Sequence, residues 1–169
     1  MEIGPMMLLS YNKDMYELEF MSFSEKDTGK AGKAIAALLK KGSIVALYGD
    51  LAAGKTALCR YLFEAKGFVE GFSSPTFTVI NEYINDKMQK AYHLDAYRLT
   101  SSEELYYAGW DEITEGEFCV IEWADIVEDI LDEGAIRVYI YRTERENERR
   151  IIIKLSRESD YNALKELLK

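Results

Sequence analysis

The sequence predicts a three-layer α/β fold whose sheet is partly parallel and partly antiparallel. Three observations lead there. Strand-like and helix-like segments alternate through the first part of the 169-residue chain. A glycine-framed loop, Gly49 to Thr56, joins an apolar run to a helical one. Two β-rich runs around a charged turn come late, at Arg137 to Arg142 and Arg149 to Leu155. Those last two runs read as a β-hairpin at one edge of the sheet.

Met15 to Phe20 alternates weakly and suits an opening strand. Ser24 has the chemistry of a helix N-cap, with Asp27 three residues on in a near capping box. Ala31, Ile35, Leu38 and Leu39 then fall at helical spacing, so a helix is expected to about Lys40, with Gly42 ending it. Ser43 to Tyr48 is a short apolar strand. Lys55 to Ala65 follows as a helix, broken by Gly67 and Gly71. Phe77 to Ile84 and Gln89 to Tyr97 read as strands joined by a turn at Asn85-Asp86. Ser101 or Ser102 caps a short helix through Glu104 and Leu105. Phe118 to Ile121, apolar and bounded by acids, resembles a buried strand, and Asp160 to Lys169 closes the chain as an amphipathic helix. No linker or repeat divides the chain, so residues 1–169 are expected to form one domain. Met1 to Tyr11 reads as an N-terminal extension, with disorder there left open.

Composition narrows the function. No apolar run approaches the ~18 residues of a membrane span, and the apolar patch Met6 to Leu9 lacks a basic flank and the length of a signal-peptide core. A soluble, cytoplasmic protein is expected, with no membrane partner. Two cysteines, Cys59 and Cys119, and one histidine, His93, make a disulfide framework or a His/Cys zinc site an unfavoured reading. Net charge is −9, and between Arg98 and Arg137 there are twelve acids and no lysine or arginine. Such a surface repels phosphate backbones, which disfavours direct high-affinity binding of nucleic acid. It is either a solvated helical face or a dock for a basic partner.

The loop Gly49-Asp50-Leu51-Ala52-Ala53-Gly54-Lys55-Thr56 fits G-x-x-x-x-G-K-[ST] in full. Its chemistry needs those residue types. Backbone N–H groups must wrap a polyphosphate, so the glycines keep side chains away. Lys55 reaches the β- and γ-phosphates, and Thr56 offers a hydroxyl to Mg²⁺. The helix beginning at Lys55 points its positive dipole end at the same group. The phosphate-binding set is therefore Gly49, Asp50, Leu51, Ala52, Ala53, Gly54, Lys55, Thr56 and Ala57. This defines a P-loop. No Asp is followed by Gly three residues later, and N-K-x-D is absent, which argues against GTP and leaves ATP.

Such a site also needs a carboxylate near Mg²⁺ and a group that orients water. Glu122 closes the run Phe118 to Ile121, and Asp95 closes Tyr92-His93-Leu94. Either acid suits a metal-shell or water-activating role, and either also reads as an ordinary acid at a strand end. Lys55, Asp95 and Glu122 are the catalytic candidates; Thr56, Glu122 and Asp95 are the metal candidates. Thr76, in Ser73-Ser74-Pro75-Thr76-Phe77, is placed to sense a γ-phosphate or simply to shape a turn.

Taken together, these segments resemble the bacterial TsaE family of tRNA threonylcarbamoyladenosine biosynthesis ATPases. The resemblance rests on Leu47 to Thr56, Ser74-Pro75-Thr76-Phe77 with Asn81-Glu82-Tyr83, His93-Leu94-Asp95-Ala96-Tyr97-Arg98-Leu99, Glu103-Glu104-Leu105 with Gly109, and Ile121-Glu122-Trp123. It implies a weak ATPase that supports the TsaB and TsaD proteins in placing threonylcarbamoyl on adenosine 37 of tRNAs reading ANN codons. It also implies that Thr56 and Glu122 sit at Mg²⁺ with Asp95 close by, Thr76 in a switch-like loop and Trp123 beside the site. The Ser24 to Thr28 segment would approach the adenine. The chain departs from the family loop at Ala52, where a third glycine is common, and at Ala57. If position 52 needs a positive φ, Ala52 strains the loop. Two rival readings share the loop: a small-molecule kinase with the Arg142, Arg145, Arg149 and Arg150 turn as lid, and a nucleotide-gated binding module with negligible hydrolysis.

Overall fold

The structure, a computed structural model, describes residues 15–69, 71–72 and 79–169. The readings of Met1 to Tyr11, of Thr76 and of the start of the Phe77 strand lie outside them.

Seven strands form one sheet: β1 (Tyr16–Ser22), β2 (Ser43–Tyr48), β3 (Ile80–Ile84), β4 (Lys90–Asp95), β5 (Phe118–Glu122), β6 (Ile136–Arg142) and β7 (Arg149–Leu155). Their order across the sheet is β1-β7-β6-β2-β5-β4-β3. β6, β2, β5 and β4 run parallel, while β1, β7 and β3 are antiparallel to their neighbours. The mixed sheet expected from the sequence is thus present.

The hairpin is not at the edge. β6 pairs with β2 inside the sheet, and β1 covers β7 along its whole length, from Tyr16 opposite Leu155 to Ser22 opposite Arg149. The physical reason lies in β6 and β7, whose inward residues Val138, Ile140, Ile151 and Ile153 are all buried. Strands with so much apolar surface are driven to the interior, leaving the less buried β1 to close the edge.

The five α-helices are α1 (Glu25–Leu38), α2 (Lys55–Ala65), α3 (Glu103–Ala108), α4 (Trp110–Thr114) and α5 (Glu158–Leu167). They divide between two cores on opposite faces. Val45 and Leu47 of β2 pack with Leu58 and Leu62 of α2, Ile35 of α1 and Leu164 of α5. Ile44 and Ala46 face the other way, onto Leu105 of α3, Trp110 and Ile113 of α4, and Val127. Alternation along one strand therefore feeds two apolar layers, which makes the fold three-layered.

Local chemistry accounts for the element ends. The Ser24 Oγ accepts from the Asp27 N–H (3.2 Å), and an Asp27 carboxylate oxygen accepts from the Phe23 N–H (3.2 Å). Gly42 turns the chain at φ 80°, and its N–H donates to the Gly116 carbonyl. β4 stops at Asp95, short of the expected Tyr97, because the Asp95 carboxylate caps a 3₁₀ turn at Ala96–Arg98 through the Tyr97 N–H. The acidic interval is not one regular helical face. It holds α3, the unforeseen five-residue α4 hinged at Gly109, and a 3₁₀ segment, Ala124–Ile130, kinked at Val127. Among the described residues, no helix is long and apolar enough to cross a membrane.

The Ser24 cap joins β1 to α1, and losing such a cap typically costs about 1 kcal/mol. Ser24→Ala is expected to lower the melting temperature by about 2–4 °C, by the usual scaling for a chain of this size. A thermal melt followed by circular dichroism checks it, and no change would show that the cap does not hold the helix.

Candidate functional site

Three parallel strands end side by side, and the sequence-chosen residues sit at those ends. Register pairs Leu47 of β2 with Glu122 of β5, and Asp95 of β4 with the same Glu122. The chain leaves β2 at Tyr48 and enters the loop, so loop, Glu122 and Asp95 share the carboxyl edge of the sheet, where α/β folds place ligands.

Lys55 opens α2 and is only 5% exposed. Its Nζ donates to the carbonyls of Gly49 (2.6 Å) and Asp50 (2.8 Å) and lies 4.0 Å from the centre of the Trp123 ring. Burial pulls the Lys55 ammonium below its ordinary pKa, with Glu122, Asp95 and Asp50 pulling it back up. The α2 N-terminus has no side-chain cap, because its cap residue is Gly54 at φ 112°. First-turn N–H groups of a helix have no intrahelical acceptor, so these are donors for an anion.

Glu122 ends β5 and is 3% exposed. Its carboxylate accepts from the Thr56 hydroxyl at 3.1 and 3.2 Å and from His93 Nε2 at 2.8 Å. Cys59, His93 and Glu122 each bring a ligand-type atom within 4.8 Å of the others. Burial pushes the Cys59 thiol well up. The His93 Nε2 proton is already donated to Glu122. Cys59 and His93 are both buried beside Glu122. Thr56, Glu122 and Asp95 instead supply hard oxygen donors at one edge, a set that fits Mg²⁺.

Leu51 to Ala57, Asp95, Glu122 and Trp123 line a cavity of about 260 Å³. Its size and its backbone lining suit the phosphate end of a nucleotide. Gly49 and Asp50 are set back from it and act through their carbonyls on Lys55. One Asp95 oxygen is occupied by the Tyr97 N–H (3.1 Å), as a cap. Trp123 adopts φ 56°, rare for so large a side chain, and its ring meets Tyr97 at 5.0 Å. Thr76 is outside the described residues.

The C-terminal hairpin grips the loop from behind. A Cβ on Gly49 would stand 2.4 Å from the Ile140 carbonyl of β6, so only glycine fits there. Arg149, at the start of β7, donates from Nε to the Ala53 carbonyl at 2.7 Å. Two other arginines of that turn are paired elsewhere: Arg150 with Glu19 (2.8 Å) and Arg145 with Glu148 (3.6 Å). Sequence reasoning missed two contributors. His93 carried a signal, standing two residues before Asp95 on the same strand face. Arg149, read from the sequence only as part of an arginine lid, instead meets Ala53 across 96 positions of sequence.

Fold and site together define the P-loop NTPase fold. The sequence matches the family described as threonylcarbamoyl adenosine biosynthesis protein TsaE over residues 22–151. The chain belongs to the TsaE family. It is 37% identical over 130 residues to the tRNA threonylcarbamoyladenosine biosynthesis protein TsaE of Bacillus subtilis, covering 76% of this chain and 80% of that one. The protein of the same description from Treponema pallidum is 39% identical over 119 residues, covering 70% and 87%. The crystal structure of Bacillus subtilis YdiB superposes with a TM-score of 0.69 at 30% identity, covering 90% of this chain and 95% of that one.

Ala52 sits at φ 61°, so position 52 does take the left-handed conformation in which alanine is strained. A non-glycine residue there costs roughly 1–2 kcal/mol, partly offset by the greater freedom of glycine in the unfolded chain. Ala52→Gly is expected to stabilise the protein by about 0.5–1 kcal/mol, raising the melting temperature by roughly 1–4 °C. A melting point unchanged or lowered in calorimetry would show that the loop carries no strain at this residue.

Proposed function

We propose that this chain binds ATP with Mg²⁺ in the P-loop and hydrolyses it weakly, acting as a single domain. In this reading it supports the TsaB and TsaD proteins in threonylcarbamoylation of adenosine 37 of tRNAs reading ANN codons. The observation that carries the nucleotide half is the Lys55, Thr56 and Glu122 group. A cation, a hydroxyl and a buried carboxylate converge at the carboxyl ends of β2 and β5, against an open helix N-terminus. Family membership supports the pathway half, because the curated relatives carry that biosynthetic role in their names. The absence of both guanine-recognition patterns favours ATP over GTP.

Each residue then has a task. The Lys55 ammonium binds the β- and γ-phosphates, and the first-turn N–H groups of α2 bind them from below. Thr56, Glu122 and Asp95 would hold Mg²⁺, which when bound offsets negative charge on the phosphates. Glu122 also stands where it can orient a water, and Trp123 covers the Lys55 side. Arg149 and Gly49 keep the loop pressed on the sheet.

Lys55→Ala is expected to abolish productive ATP use, since no other loop residue supplies a cation. Glu122→Gln keeps the shape and is expected to bind nucleotide while turnover falls at least ~10²-fold. ATP hydrolysis measured with the partner proteins checks both, and parent-like rates in both variants would overturn the site assignment.

The acidic interval supports a basic docking partner, though part of it has other work. Glu128 accepts from Tyr48 and from Arg137 (2.9 Å), and Asp129 accepts from Ser102 (2.6 Å). Asp111, Glu115 and Asp132 are exposed and have no side-chain hydrogen bond or ion pair among the described residues. Reversing these three to Lys is expected to slow association with the partner complex, with a smaller effect at high salt, where exposed charges are screened within ~8 Å or less. ATP binding by the isolated protein should stay constant. Equal partner affinity for parent and triple variant at low and high salt would remove the docking role.

A further inference from the structure

The site gives Glu122 a task and leaves the residue behind it without one. His93 lies in β4 opposite Val120 of β5 and is completely buried. Its Nε2 is 2.8 Å from Glu122 Oε1. A carboxylate only accepts, so Nε2 carries the proton and donates it. The other nitrogen, Nδ1, is buried with no hydrogen-bond partner among the described residues. The ring is held by aromatic neighbours: Phe72 stacks on it at 5.5 Å and 9°, and Phe63 sits tilted at 6.0 Å.

An orphaned polar nitrogen in such a pocket is destabilising, because it has lost its water and gained no donor. A phenylalanine would fill an aromatic pocket without that cost. What the histidine supplies and a phenylalanine cannot is the single bond to Glu122. That bond occupies one lone pair of Oε1 and stops the carboxylate from rotating. Thr56 then meets both oxygens, at 3.1 and 3.2 Å, on the side facing the loop. Without the tie, the carboxylate is free to swing toward the Lys55 ammonium, whose pKa already responds to it.

We propose that His93 is a positioning residue, fixing the Glu122 carboxylate so that it faces Thr56 and the Mg²⁺ of a bound nucleotide. This rests on the nucleotide-binding reading above. It assigns His93 no contact with nucleotide and no proton transfer. Groups that orient a metal-binding side chain typically contribute 10- to 100-fold in metal affinity or activity.

Two substitutions separate positioning from packing. His93→Phe keeps the ring and its stack but removes the donor. His93→Gln removes the ring but keeps an N–H that can reach Glu122. ATP binding is titrated with and without Mg²⁺, turnover is measured with the partner proteins, and a thermal melt confirms folding. For His93→Phe, Mg²⁺-free affinity should stay within about 2-fold of the parent. The gain in affinity conferred by Mg²⁺ should shrink ~10-fold, and kcat should fall ~10- to 100-fold with KM little changed. His93→Gln should recover most of both losses, even if it melts lower than His93→Phe. A His93→Phe protein with parent-like Mg²⁺ gain, or a folded His93→Gln protein no better than His93→Phe, overturns the assignment. A parent that binds no nucleotide overturns the earlier reading and this one together. With a parent that binds it, a parent-like Mg²⁺ gain in His93→Phe overturns the positioning role alone.

Discussion

A buried carboxylate at the end of β5 is the constraint around which the site is organised. Taking Glu122 to 3% exposure removes water from a group that water solvates strongly. Such a group needs donors from the protein, and each donor fixes another element. Thr56 brings the first turn of α2 to the sheet, and His93 locks β4 alongside β5. Lys55, one residue before Thr56, is drawn into the same pocket and turned back onto the loop carbonyls. The phosphate loop, the helix behind it and three parallel strands are therefore held to one another through this carboxylate. A surface acid at the same position would tie none of them.

The loop is also held from the opposite side. β6 lies directly against β2, so the chain leaving β2 runs under the Ile140 carbonyl, and Gly49 is the residue that allows it. Arg149 reaches over from β7 to the Ala53 carbonyl. This is why the interior position of the hairpin matters to function: at the edge it would be one or two strands, about 5–10 Å, too far away. Positive φ at two non-glycine residues, Ala52 and Trp123, falls inside this clamped region. Strained backbone persists where the surroundings over-determine it, and here the surroundings are the hairpin on one side and Glu122 on the other.

The sequence carried the elements far better than their neighbours. Periodicity and turn chemistry are local, so β2, α2, β5, both hairpin strands and the Ser24 cap were legible from residues alone. The loop pattern made Lys55 and Thr56 legible, and the strand-end acids made Glu122 and Asp95 legible as a pair without ranking them. Sheet order was not legible. Nothing local to Arg137–Leu155 says that β1, more than a hundred residues earlier, will take the edge. Short structures failed for another reason: α4 and the kinked Ala124–Ile130 segment are too brief to show a period, and their acids masked the buried Ile113 and Val127. Asp95 illustrates a third limit, since one residue both caps a 3₁₀ turn and faces the cavity, and a sequence pattern records only its presence.

Charge composition misleads in the same way unless each acid is followed to its partner. Of the twelve acids between Arg98 and Arg137, Glu122 belongs to the site, Glu128 and Asp129 tie the Ala124–Ile130 segment to Tyr48, Arg137 and Ser102, Glu112 pairs with Lys90 (3.3 Å), and Glu104 accepts from the Thr100 N–H (2.9 Å). These are internal bonds, and they help so acidic a stretch pack against the sheet: Ala124 and Val127 are buried while Glu122, Glu128 and Asp129 have found donors. A docking surface, if it draws on this interval, must be assembled from the exposed remainder, including Asp111, Glu115, Asp125 and Asp132. Exposed charges spread in this way steer a partner's approach more than they hold it. The same interval also exposes apolar groups: Tyr106 at 57% and Tyr107 at 93% exposure on α3.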